Sequence, residues 1–283
     1  MRHMWHMLAQ GKINGKINQP DNQLIMLVFG RPAEVWHNYR IGVGTMRPQA
    51  IIFDVDGTLA DTERWGHLPA CNEAFRVLGL PLQWEWAEFK ELMVTIQGNA
   101  NRLRHALTRL GTYAPADIEA YIEAFVPIKQ ELYVNKYLPL INLREGIADF
   151  IREIKAAGIP LAIVSTSYEA QINELLKTKL PDVQAAFKPV LGKESGQKTG
   201  SEGVLYGKCL SILGAEPTCC LVIEDSAAGL RAALQAGIPT VVFYNDYTAN
   251  EDFTGAVLVA PSVTQIDTRQ LIDGTIFSKP VTT

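Results

Sequence analysis

Asp54 and Asp56 stand two residues apart where the apolar run Ala50-Ile51-Ile52-Phe53 ends. Paired carboxylates at the mouth of a hydrophobic segment repel each other and lose hydration, and a bound cation resolves that conflict. Magnesium takes a few hard oxygen ligands and keeps its other positions for water and phosphate, which suits such a pair. A second pair, Glu224-Asp225, ends the run Leu221-Val222-Ile223. As acids opening a helix they would merely complement its dipole, worth about 0.3–1 kcal/mol; two acid pairs in one chain point beyond that. Between the pairs, Ser165 closes the run Leu161-Ala162-Ile163-Val164 and is followed by Thr166 and Ser167. Hydroxyls beside the free N–H groups of a starting helix form a cradle for phosphate.

The elements that must carry these residues alternate along the chain. Ala50–Val55, Leu161–Val164, Val190-Leu191, Cys220–Ile223 and Thr240–Phe243 read as strands. Helical patterns lie near 146–157, 168–178, 202–213 and 226–236. Ser226 is placed as the N-cap of the last of these, with Gly237 and Pro239 at its end. Such alternation specifies an α/β fold, a doubly wound parallel sheet with right-handed crossovers, in which ligands sit at the carboxyl ends of the strands. Asp54, Asp56, Ser165, Glu224 and Asp225 all fall there. Residues 65–142 form an all-helical insertion, with Leu68, Cys71, Phe75 and Leu78 on one stripe and Ile118, Ile122 and Phe125 on another, and Pro127 is expected to break or kink the second helix.

A chain of 283 residues, 47% hydrophobic, accommodates one α/β core and a smaller accessory domain. Its 26 basic against 30 acidic residues give a net charge of −4, which excludes the broad cationic field of a nucleic-acid binder. No apolar run reaches the roughly 20 residues of a membrane helix. Cys71, Cys209, Cys219 and Cys220 lack metal-ligand spacing and read as reduced thiols of a cytoplasmic protein. Residues 1–45 carry few acids and no sustained period; they are expected to be an extension outside the core, with Met46 as the natural start. Asp273-Gly274-Thr275 lacks a preceding acid and strand and is expected to be a turn.

The stretch Ile51-Ile52-Phe53-Asp54-Val55-Asp56-Gly57-Thr58 resembles the first motif of haloacid dehalogenase (HAD) superfamily phosphatases, an apolar strand followed by Asp-x-Asp-Gly-Thr. Ser165, Lys198 and Glu224-Asp225 match the later motifs in order, although Thr199 stands where a proline commonly follows the lysine, and Lys193 lies close by. The resemblance implies a HAD-like doubly wound core at 46–64 and 143–265, a helical cap at 65–142 and a C-terminal tail at 266–283. It implies a phosphatase in which Asp54 attacks phosphorus and Asp56 protonates the leaving group and then activates water. Ser165 and Lys198 would hold the transferring phosphoryl group, and Asp54, Asp56, Glu224 and Asp225 would hold Mg2+, Asp225 ahead of Glu224 as a direct ligand. Asp61-Thr62-Glu63, His67, Asn72-Glu73 and Phe89-Lys90-Glu91-Leu92 look most like CbbY-like sugar phosphatases, relatives of β-phosphoglucomutase. Gly98 and Arg102 match a Gly-x-x-x-Arg element of such caps, in which the arginine would take a distal phosphate. Thr58, Glu63, His67, Gly98, Arg102 and Thr166 are thus the substrate-contacting candidates, for a small sugar phosphate or a bisphosphate such as xylulose 1,5-bisphosphate. One extra residue between Thr62 and His67, and Ala100 in place of a lysine, depart from the pattern. A phosphomutase and a non-catalytic phosphometabolite-binding protein are the alternatives.

Overall fold

All four residues of β1 (Ala50–Phe53) are fully buried, because successive strand side chains point to opposite faces and both faces of this strand are covered. In the computed structural model, which describes residues 47–200 and 204–278, β1 lies inside a six-stranded sheet. The other strands are β2 (Leu161–Val164), β3 (Phe187–Leu191), β4 (Cys220–Glu224), β5 (Thr240–Phe243) and β6 (Leu258–Ala260). Their order is β3-β2-β1-β4-β5-β6, with every pairing parallel. The expectations for residues 1–45 and Met46 lie outside the described residues.

Helices cover both faces. On one, Ile51, Phe53, Ile163 and Ile223 pack with α5 (Ile147–Ala156), α6 (Glu169–Lys179) and α9 (Thr268–Ile272). On the other, Ala50, Ile52, Val164 and Val222 meet α7 (Leu205–Leu213) and α8 (Ala227–Gln235). Burying each large aliphatic side chain of this kind stabilises the fold by roughly 1.5–3 kcal/mol. Ser226 caps α8, its hydroxyl accepting from the Gly229 N–H, as its sequence position requires. The Asp273–Thr275 segment is a turn in which Asp273 accepts from the Thr275 N–H at 2.9 Å.

The insertion folds as α1 (Leu68–Val77), α2 (Trp86–Thr95), α3 (Asn99–Leu110) and α4 (Pro115–Leu132) around its own aromatic cluster. Phe75 meets Trp84 edge-on at 4.7 Å and stacks on Phe125 at 5.5 Å. The two chain crossings to the sheet are tied together: Ala60 bridges Leu143, and the Arg144 N–H donates to Leu59 O at 2.9 Å. Wide π-helical turns, Glu63–His67 and Tyr133–Tyr137, flank these crossings.

Three expectations need correction. Of the break or kink expected at Pro127, the break does not occur: α4 runs through it to Leu132, because Ile118, Ile122, Phe125 and Lys129 bury one continuous face, and tertiary packing overrides local propensity. The described part of the expected C-terminal tail, 266–278, is not simply a tail, since α9 places Leu271, and the following turn Ile276, in the main core. The third strand begins at Phe187 and not Val190.

Candidate active site

Phe53 and Ile223 are register partners, so the residues after them emerge side by side: the Asp54 N–H donates to Ile223 O at 3.0 Å. The strand order reverses between β1 and β4, the position where doubly wound sheets open a crevice. Carboxylate oxygens of Asp54, Glu224 and Asp225 lie there within 4.8 Å of one another, all buried. Lys198, on the loop between β3 and α7, donates to Asp54 Oδ1 at 2.6 Å and Glu224 Oε1 at 2.5 Å. Glu224 Oε2 accepts from the backbone N–H groups of Asp225 and Ser226, at 2.9 and 3.0 Å. Asp225 accepts from Asn245 Nδ2 at 2.7 Å and from Thr58 Oγ1 at 3.4 Å. Lys193 is exposed and lies over the Tyr168 ring.

Two glycines make room for these acids. A Cβ on Gly229 would fall 1.8 Å from Glu224 Oε1. One on Gly57, whose φ is +85°, would fall 2.2 Å from Asp225 Oδ2. Burial pushes the Asp54 carboxyl up to about 7, against Lys198 and with Glu224 and Asp56 adding to the rise. Asp225 is held well above the usual carboxylate range by burial, Glu224 and Asp54. Burial would depress Lys198, but Asp54 and Glu224 hold it well above the ordinary lysine value. Three buried carboxylates thus share one ammonium, a donor set of hard oxygens with excess negative charge that fits a divalent cation.

Asp56 turns elsewhere. Its carboxylate accepts from Thr62 Oγ1 at 2.6 Å and from the Ser167 hydroxyl, with His67 Nε2 at 3.8 Å; it is not among the three clustered acids. Ser165, fully buried, accepts from the Ser167 N–H at 3.0 Å, and Thr166 is exposed on the cavity wall.

A cavity of about 250 Å³ opens over the acids, lined also by Glu63, Arg102, Thr166, Lys198 and Tyr247. A larger one, about 1090 Å³, shares Asp56, Glu63, Arg102 and Lys198 and adds His67, Gly98 and Lys129. Burial raises Glu63 to about 7, opposed by Arg102. Arg102 is held by Ile96 O at 3.0 Å and Asn99 Oδ1 at 2.6 Å, over the Phe89 ring. His67 stacks on Tyr133 and meets Lys129 Nζ through Nδ1 at 2.7 Å; burial, then Lys129 and Arg102, hold it well below the usual histidine range and hence neutral. Gly98, with φ +83°, precedes α3, and its carbonyl accepts from the Arg102 N–H. Asn72 and Glu73 serve the insertion's own structure, bonding the Trp84 backbone and Lys136 with Tyr137.

Sequence reasoning quoted Thr62 and Ser167 without giving them a partner, and passed over Lys129, Arg144, Asn245 and Tyr247. The last two follow β5, so the rule that ligands gather at strand ends, applied to β1, β2 and β4, would have found them at β5 as well.

Residues 48–237 match the profile of a family described as haloacid dehalogenase-like hydrolase. The chain is similar to protein CbbY of Cupriavidus necator, 39% identical over 222 residues that span 75% of this chain and 85% of that protein. Protein CbbY of Rhodobacter capsulatus is 34% identical over 80% of this chain and 98% of its own length. Among solved structures, CbbY from Rhodobacter sphaeroides in complex with phosphate superposes with a TM-score of 0.61 at 32% identity, covering 76% of this chain and 94% of that one. A mutant of the same protein, in complex with xylulose-(1,5)bisphosphate, gives the same values.

Proposed function

The chain belongs to the haloacid dehalogenase-like hydrolase family, alongside its CbbY relatives, and from that premise we propose that it is a magnesium-dependent phosphatase of a small sugar phosphate or sugar bisphosphate. The observation that carries this reading is the convergence of Asp54, Glu224 and Asp225 with Lys198 at the β1/β4 crevice. The solved relative with a bound sugar bisphosphate supports the substrate class.

In this reading Asp54 attacks phosphorus in line with the leaving oxygen and becomes an aspartyl phosphate, dividing one difficult displacement into two. Asp56, held apart from the three acids by Thr62 and Ser167, gives its proton to the leaving alkoxide and then takes one from the attacking water. Lys198 and the backbone around Ser165 and Thr166 neutralise the phosphoryl oxygens as charge moves onto them. Asp54, Glu224 and Asp225 would hold the magnesium ion, which when bound supplies positive charge to the phosphoryl oxygens. Thr58 and Asn245 orient Asp225. Residues 65–142 act as a cap that excludes water and reads the leaving group through His67, Gly98 and Arg102, together with Glu63 just before the cap. Four free thiols fit the cytoplasm.

Phosphate release measured over a panel of sugar mono- and bisphosphates, with Mg2+ and with EDTA, tests this. Preferred, EDTA-sensitive hydrolysis of sugar bisphosphates is expected. Conversion of β-glucose 1-phosphate to glucose 6-phosphate without free phosphate would instead identify a mutase.

A further inference from the structure

Three buried side-chain polar atoms among the described residues have no hydrogen-bond partner: Glu63 Oε2, Tyr206 Oη and Tyr247 Oη. Two of the three, from Glu63 and Tyr247, belong to residues that line the 250 Å³ cavity over the acid cluster. A buried polar atom left unpaired costs about 1–3 kcal/mol, so two in one cavity call for an explanation, and a ligand that supplies the missing partners is one.

Tyr247 is held in place from several sides. Its backbone N–H donates to Asn245 Oδ1 at 3.2 Å, the same side chain that reaches Asp225. Its ring meets Trp86 of the helical insertion edge-on at 5.5 Å and 84°. Its hydroxyl stands against the Asp56–Gly57 turn, 2.6 Å from where a Cβ on Gly57 would lie and beside Asp225 Oδ2. A rigid phenol carries its hydroxyl at low entropic cost. The phenol can donate or accept, and the Glu63 carboxylate accepts; together they complement an aliphatic hydroxyl, which both donates and accepts.

We propose that Tyr247 is a specificity-determining residue which, with Glu63, holds a hydroxyl group on the alcohol portion of the phosphate ester, so that this cavity selects phosphomonoesters of polyhydroxylated compounds. The inference rests on the phosphatase reading and extends it to a residue on the sheet side of the site. Its specificity does not reside in the insertion alone: a strand-end loop of the core contributes to it.

Tyr247→Phe keeps the ring and its contact with Trp86 and removes only the hydroxyl. With xylulose 1,5-bisphosphate as substrate, kcat/KM is expected to fall about 10- to 100-fold, as for loss of one desolvated hydrogen bond. With p-nitrophenyl phosphate, whose leaving group bears no aliphatic hydroxyl, it is expected to stay within about two-fold. The melting temperature should hold or rise, because the atom removed has no partner in the protein. Equal losses on both substrates, no loss on either, or a clear drop in melting temperature overturns the proposal. Phosphate release by the unaltered enzyme is a separate test: its absence with both xylulose 1,5-bisphosphate and p-nitrophenyl phosphate defeats the phosphatase reading itself.

Discussion

Asn at position 54 would keep the size of the side chain and its place beside Ile223, but give Lys198 a neutral partner and leave no nucleophile. Asp54→Asn is therefore expected to abolish turnover in a phosphate-release assay while the circular dichroism spectrum stays native. Lys198→Ala should lower kcat about 10²- to 10³-fold, the usual cost of losing one preorganised charge-stabilising donor; an unaltered rate would transfer the role to Lys193. The acid pairs at 54/56 and 224/225 were legible because each stands directly after an apolar run that conflicts with its charge, whereas Lys198 stands in a polar loop and was singled out only by the resemblance. Tyr247 was not, because an aromatic residue in a polar loop reads as ordinary packing, and only its orphaned hydroxyl sets it apart. The cap residues were legible as candidates alone: the spacing that singled out Arg102 does not reveal that Ile96 O and Asn99 already occupy part of its guanidinium.

At the level of elements, Arg144 joins parts that are distant in the chain. Its guanidinium donates to Gly57 O at 2.6 Å, to Phe243 O, to Tyr244 O at 2.7 Å and to Pro261 O at 2.8 Å. It thereby ties the Asp56–Gly57 turn to the ends of β5 and β6, right beside the return crossing from the insertion. Arg144→Met leaves four carbonyls without this donor and should destabilise the protein by about 3 kcal/mol or more, given 1.5–3 kcal/mol for hydrogen bonds to a charged group, as measured by urea denaturation. The strands and helices of the central sheet were readable from period and punctuation. β6 was not: it has three residues with only Ala260 buried, too short to display a period. β3 was read short because Lys188 and Pro189 interrupt its apolar pattern, which a strand paired to β2 alone tolerates. Such outcomes depend on partners that lie far off in the chain.

For the molecule as a whole, the three clustered acids set function against stability. Their mutual repulsion is relieved on binding a cation, so Mg2+ at about 100 times its dissociation constant should add roughly 2.7 kcal/mol of stability, or about 5–10 °C in melting temperature for a domain of this size. Asp225→Asn is expected to melt higher than the native protein without metal, and to gain less from Mg2+; thermal scans with EDTA and with Mg2+ measure both. The strand order carries one more consequence, for biosynthesis. β1 is made early, but its neighbour β4 follows about 170 residues later, after the insertion, β2 and β3. A nascent chain that has emerged only as far as residue 215 holds Asp54 without Glu224 or Asp225, and offers a divalent ion no seat. Metal capture must wait for β4 to dock beside β1, and so can lock that pairing once made but cannot guide the chain toward it.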